Sequence, residues 1–84
     1  MRHFASPDFW FHYRLLPDNV QKLADKNFSL LKKNPRHPSL RLKKAGIYWS
    51  IRVGISYRAL GKDREEGIVW MWIGSHAEYD QMIE

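Results

Sequence analysis

The chain contains no cysteine, and its 84 residues include only five glycines and four prolines. Without cysteine there is no disulfide framework, no thiolate metal site and no thiol nucleophile, a pattern that fits a reducing cytosol. The glycines form no phosphate-cradling loop. No two histidines have the spacing of a helical metal pair, so neither a metal nor a cofactor is expected. Ser75 beside His76 is not a nucleophile elbow, which argues against a serine triad. No apolar stretch approaches bilayer length, and no apolar signal run follows the first positive charge. These absences predict a soluble cytoplasmic protein with no membrane partner. The length predicts one small domain over residues 1–84, with a modest core and a narrow stability margin.

Acid is also scarce. Nine carboxylates face 14 lysines and arginines, giving a net charge of +5 and a pI near 9.8. Lys32, Lys33, Arg36, Arg41, Lys43 and Lys44 fall in one segment with no acid among them, and His37 lies inside it. Clustered base of this kind is the footprint of nucleic acid or of an acidic protein partner.

Hydropathy patterning then gives the elements. Arg2 to Ala5 reads as a short edge strand. Ser6-Pro7-Asp8 reads as a helix start, with a capping serine, proline at the first helical position and an acid in the first turn. Phe9, Trp10 and Tyr13 supply its apolar stripe. A second helix opens at Pro17, carries Val20, Leu23, Ala24, Phe28, Leu30 and Leu31 at helical spacing, and ends at Asn34-Pro35. Arg36 to Gly46 reads as a basic connection. Trp49, Ile51 and Val53 alternate with Ser50 and Arg52 in a half-buried strand. A second strand covers Ser56 to Leu60, a charged turn Gly61 to Gly67, and a strand buried on both faces Ile68 to Ile73. The fold class is α+β: two N-terminal helices packed on a small, mainly antiparallel twisted sheet.

If Gly54-Ile55-Ser56 is a three-residue hairpin loop, Val53 pairs with Tyr57 and Arg52 lies opposite Arg58. Like charges opposed across a ladder are destabilising, and an anion between them would relieve this. His76 leaves the next strand near both guanidiniums, where a titratable ring is held firmly yet meets solvent. Tyr79 follows three residues later and shares its side if a helical turn starts at Ser75. His37 is a second candidate proton carrier.

The order and spacing of these pieces resemble a known family. Leu16-Pro17, Ala24-Asp25-Lys26-Asn27-Phe28, Asn34-Pro35-Arg36-His37-Pro38-Ser39-Leu40, Trp49-Ser50-Ile51-Arg52-Val53-Gly54, Tyr57-Arg58-Ala59 and Trp72-Ile73-Gly74-Ser75-His76-Ala77-Glu78-Tyr79 together resemble the RelE/ParE-type toxins of bacterial type II toxin–antitoxin systems, in their HigB/RelE-like branch. The resemblance implies a RelE-like fold and a ribosome-dependent, metal-independent endoribonuclease (an mRNA interferase) that inhibits translation. It also implies a small cognate antitoxin, with the ribosome and mRNA as the other partners. Its strand arginines and terminal histidine match Arg52, Arg58 and His76, and Tyr79 matches a functional aromatic. The RelE-type pair of strand lysines is represented only by Ser50 and Arg52. A ParE-like gyrase-inhibiting toxin and a catalytically inactive RNA- or antitoxin-binding module are the alternatives.

Metal-free RNA cleavage needs a base for the 2′-hydroxyl, positive charge on the phosphorane and an acid for the departing 5′-oxygen. Arg58 with Arg52 suits the phosphate, because a guanidinium fork binds two oxygens and stays charged. His76 is the candidate general acid or general base. Tyr79 can stack on a base, hydrogen-bond a phosphate or cover the sheet, with packing the default, and Lys32, Lys33, Arg36, His37, Arg41, Lys43 and Lys44 are expected to hold RNA.

Overall fold

The computed structural model describes residues 2–83. In chain order the elements are β1 (His3–Ala5), α1 (Pro7–Tyr13), α2 (Asp18–Lys33), β2 (Lys43–Ala45), β3 (Tyr48–Val53), β4 (Tyr57–Arg64), β5 (Gly67–Ser75) and α3 (His76–Ile83). The strands form one five-stranded sheet in the order β1-β5-β4-β3-β2. Only the β1–β5 pairing is parallel; the other neighbours are antiparallel.

The helix signals act as the sequence predicts. Ser6 Oγ accepts from the Phe9 N–H at 3.2 Å, and Pro7 stands at the first helical position. α2 begins after Pro17 and ends at Lys33. Val20, Ala24 and Leu31 of α2 join Phe9 of α1 against Ile51, Val53, Ala59, Ile68, Trp70 and Ile73 of the sheet. This apolar layer is the main core. Hydrophobic burial of such side chains is the dominant favourable contribution to the fold.

Four boundaries differ from the sequence reading. Arg36 to Gly46 is not connection throughout, because Lys43–Ala45 forms edge strand β2 against Tyr48–Ser50. Lysines are poor strand formers, but on an edge they need only backbone partners. Nor is Gly61 to Gly67 all turn. β4 runs on to Arg64, and its charged end is exposed where the sheet meets solvent. β5 extends past Ile73 to Ser75. Its missing alternation has a specific cause: Leu60 pairs with Trp72 but Gly61 pairs with Trp70, a bulge at Met71. Ile68 and Trp70 therefore face α1 and α2, and beyond the bulge Ile73 takes over that face while Trp72 turns to the other.

The fourth difference is α3, of which only a helical turn was foreseen. Ser75 and Glu78 make a reciprocal cap: Ser75 Oγ accepts from the Glu78 N–H at 3.2 Å, and Glu78 Oε1 accepts from the Ser75 N–H at 3.2 Å. The Ser75 hydroxyl also donates to Glu78 Oε1 at 2.9 Å, and the two bonds to that carboxyl, the hydroxyl's first, hold it below its ordinary pKa. The helix packs on the sheet face opposite α1 and α2, where Tyr79 meets Leu60 and Trp72.

His3 on β1 is only 7% exposed. Its Nδ1 accepts from Trp70 Nε1–H at 3.1 Å, while its buried Nε2 has no hydrogen-bond partner. Burial, before any nearby charge, lowers its pKa below 6.5. The fold therefore favours neutral His3. Its contribution to stability is complete above the unfolded value and is lost as pH falls through the lowered folded value. Thermal melts between pH 7.5 and 5.5 are expected to show a falling midpoint, and His3→Gln to flatten that slope. An unchanged slope in the variant would remove His3 as the cause.

Candidate functional site

The β3–β4 hairpin sets the site. Val53 pairs with Tyr57, Arg52 with Arg58, Ile51 with Ala59 and Ser50 with Leu60, the register expected from a three-residue loop. Gly54 has φ +66, the left-handed conformation that glycine adopts without steric penalty. Asn27 anchors the hairpin to α2, because its buried amide donates to the Arg52 carbonyl at 3.1 Å.

Arg58 is 7% exposed. Its Nη1 donates to the Tyr57 carbonyl at 2.7 Å and, over longer separations, to those of Ile55 at 3.4 Å and Gly54 at 3.5 Å. One edge of the guanidinium is thereby tied to the hairpin. Nη2 stands 3.5 Å from His76 Nδ1. Burial first, and then the Arg52 charge, lower the Arg58 pKa below the ordinary arginine value. A buried cation beside a second cation gains most from an incoming anion.

His76 begins α3, directly after β5 passes Arg58. A ring that accepts from Arg58 at Nδ1 carries a hydrogen on Nε2, and His76 Nε2 lies 3.2 Å from Asp80 Oδ2 across one helical turn. Arg58, His76 and Asp80 thus form a chain of contacts, with the imidazole between a cation and a carboxylate. Asp80 and Asn27 are the residues that sequence reasoning missed. The i,i+4 spacing of Asp80 from His76 is a readable signal once α3 is recognised.

Arg52, Arg58, His76, Tyr79 and Asp80 share one cleft of about 580 Å³ with Arg41 and Lys43. Of the roles open to it, Tyr79 shows packing on the sheet rather than an exposed stacking surface. It is 5% exposed, packed on Leu60 and Trp72, and its ring centroid is 6.4 Å from that of His76. Its place at the fourth position of α3 turns the ring down onto the sheet. Its hydroxyl is buried without a hydrogen-bond partner.

The basic segment divides. Lys43 pairs with Ser50 and lines the cleft, whereas Lys44 pairs with Trp49 and has the opposite orientation, because strand residues alternate. Lys44 is bound to Asp63 at 2.6 Å, which lowers the Asp63 pKa, with the Trp49 N–H as the second donor. The charge of Lys44 is thus paired, and the residue does not line the cleft. Lys32 lies 4.6 Å from the Phe28 ring centroid, a cation–π contact at the end of α2. Lys33 and Arg36 are exposed and line neither the cleft nor its neighbour. His37 and Arg41 line the neighbouring cleft. Among the described residues, no cluster of three or more histidine or acidic side chains is placed to hold a metal ion, and no helix is long and apolar enough to cross a membrane.

A model of the ParE-like toxin domain matches residues 18–81, spanning α2, β2 to β5 and most of α3. The chain belongs to the ParE-like toxin domain family. No curated protein sequence matches this toxin domain significantly. Its fold is RelE-like. A chain of the RelB–RelE antitoxin–toxin complex from Methanococcus jannaschii superposes with a TM-score of 0.73 at 15% identity, covering 96% of this toxin domain and 99% of that chain. YafQ from E. coli gives 0.70 at 14% identity, covering 93% and 96%. The isolated E. coli RelE toxin gives 0.61 at 15% identity, covering 98% and 97%.

Proposed function

We propose that this chain is the toxin of a toxin–antitoxin pair and cleaves mRNA on the ribosome in the cytoplasm, restrained by a cognate antitoxin. The observation that carries the reading is the contact of Arg58 Nη2 with His76 Nδ1, in one cleft with Arg52. The similarity to the RelB–RelE complex supports an antitoxin partner. The net charge of +5 supports a polyanionic substrate.

In this mechanism the scissile phosphate enters between Arg52 and Arg58 and draws Arg58 Nη2 away from the imidazole. His76 Nδ1 is then free to take the proton of the 2′-hydroxyl. Asp80 holds the ring through Nε2–H and stabilises the imidazolium, as a carboxylate does for a histidine base elsewhere. The 2′-oxygen attacks phosphorus and the bond to the 5′-oxygen breaks. The leaving oxygen takes a proton from solvent in the open cleft. The products are a 2′,3′-cyclic phosphate and a 5′-hydroxyl. The arginines supply fixed positive charge where the phosphorane gathers negative charge.

The family also admits poisoning of DNA gyrase, and one experiment separates the two readings. The chain is expressed without any antitoxin while growth, mRNA integrity and gyrase supercoiling are followed. Growth arrest with cut mRNA and normal supercoiling is expected. Arrest with intact mRNA and blocked supercoiling would replace the nuclease with a gyrase poison.

A further inference from the structure

Beside the candidate active cleft lies a second of about 680 Å³, between α2, the β3–β4 loop and the segment before β2. Leu30 and Ile55 give it apolar walls, and Lys26 and His37 give it base; no carboxylate lines it. Arg41 and Arg52 line both clefts and so form the saddle between them. Neither arginine takes part in the two ion pairs found among the described residues.

Arg41 is held there by an unusual backbone. Leu40 is fully buried, and its carbonyl accepts from the Arg52 N–H at 2.7 Å. The ladder of β2 with β3, in which Lys43 pairs with Ser50, would place Arg41 rather than Leu40 opposite Arg52. One extra residue is therefore accommodated, a bulge, and Arg41 within it has φ +46. Among the described residues it is the one non-glycine with positive φ. Glycine adopts this conformation freely, whereas a side chain with a Cβ is strained in it. Strain at an exposed arginine on a cleft rim is an observation from which function can be argued.

We propose that Arg41 and Arg52 form a second phosphate site, which holds the phosphate next to the scissile one and leads the adjoining nucleotide into the neighbouring cleft. The ligand class is single-stranded RNA crossing the saddle. Arg41 holds this phosphodiester, Arg52, which lines both clefts, bridges it to the scissile phosphate, and the apolar walls take the base. This inference rests on reading the first cleft as the place of the scissile phosphate.

The test is equilibrium binding of 2′-O-methyl RNA, which cannot be cleaved through its 2′-oxygen. A dinucleotide carries one phosphodiester, and a tetranucleotide also carries its neighbours. Arg41→Gly is expected to weaken tetranucleotide binding about tenfold, the effect of one charged contact. The salt slope of that binding should fall by about 0.7, the value for one phosphate on a single strand. Dinucleotide binding should stay within about twofold, and the melting temperature should be equal or higher. Arg41→Lys should recover part of the affinity. Equal loss on both ligands, no loss on either, or a wild-type chain that binds neither would overturn the proposal. Wild-type binding to the tetranucleotide without mRNA cleavage would refute the nuclease reading and leave the saddle in place.

Discussion

Arg58→Ala is expected to lower ribosome-dependent mRNA cleavage by about a hundredfold or more, the usual effect of removing a group that stabilises transition-state charge. The guanidinium is the fixed point of the site. One edge is bound to the Tyr57 carbonyl, and the other reaches His76. In the proposed mechanism the substitution therefore removes the phosphate ligand and also the cation that meets Nδ1 of the imidazole before substrate enters. Arg58→Lys should recover little, because one ammonium cannot bind the hairpin carbonyl and a phosphate in the same fork geometry. The chain should still fold, since the carbonyls left behind lie beside a loop whose Ile55 is 83% exposed and can be hydrated. Cleavage rates beside thermal melts separate the two effects. A folded Arg58→Ala chain with full cleavage would remove Arg58 from the mechanism. The loss should also be less than additive with that of His76→Ala, because residues acting as one unit share their effect.

Trp70→Ala should remove a large share of the protein's stability. Trp70 is 1% exposed, lies in the main core, and donates its indole N–H to buried His3. Truncating a buried aromatic to alanine costs about 3–5 kcal/mol. A chain of this length has about 4–13 kcal/mol of total stability. The neighbouring strand has no spare bulk to fill the gap, because Trp70 pairs with Gly61, where an added Cβ would come within 3.0 Å of the indole. Trp70→Phe keeps most of the apolar volume but leaves His3 Nδ1 without its donor, so an intermediate loss is expected. Urea denaturation measures both. A Trp70→Ala midpoint close to that of the wild type would mean that the core is not organised around this residue.

How far the sequence carries depends on whether a feature is local. The caps at Ser6 and the stops at Pro17 and Asn34-Pro35 are local chemistry, and α1 and α2 form where those residues indicate. The Arg52–Arg58 pairing was legible because a three-residue loop sets strand register. Features decided by tertiary contact were not. β2 is an edge strand of lysines and depends on β3 for its partners. At the bulge opposite Leu60 and Gly61 the Trp70 ring lies close over Gly61, a tertiary arrangement that no periodicity records. For Tyr79 the sequence leaves stacking, phosphate binding and packing open, and the closeness of α3 to the sheet selects packing. Lys44 likewise meets a carboxylate 19 residues further along the chain. Asp80 was hidden for a simpler reason: its partner His76 becomes an i,i+4 neighbour only once Ser75 and Glu78 have capped a helix.

The central claim is that the Arg58–His76 cleft cleaves RNA through the substrate's own 2′-oxygen. The most direct measurement is the chemistry of the cut ends when purified toxin acts on ribosome-bound mRNA. The account predicts a 2′,3′-cyclic phosphate on the upstream fragment and a 5′-hydroxyl on the downstream fragment, with no cut where the attacking nucleotide is 2′-deoxy. A 3′-hydroxyl with a 5′-phosphate, or cleavage that survives the 2′-deoxy substitution, would contradict it.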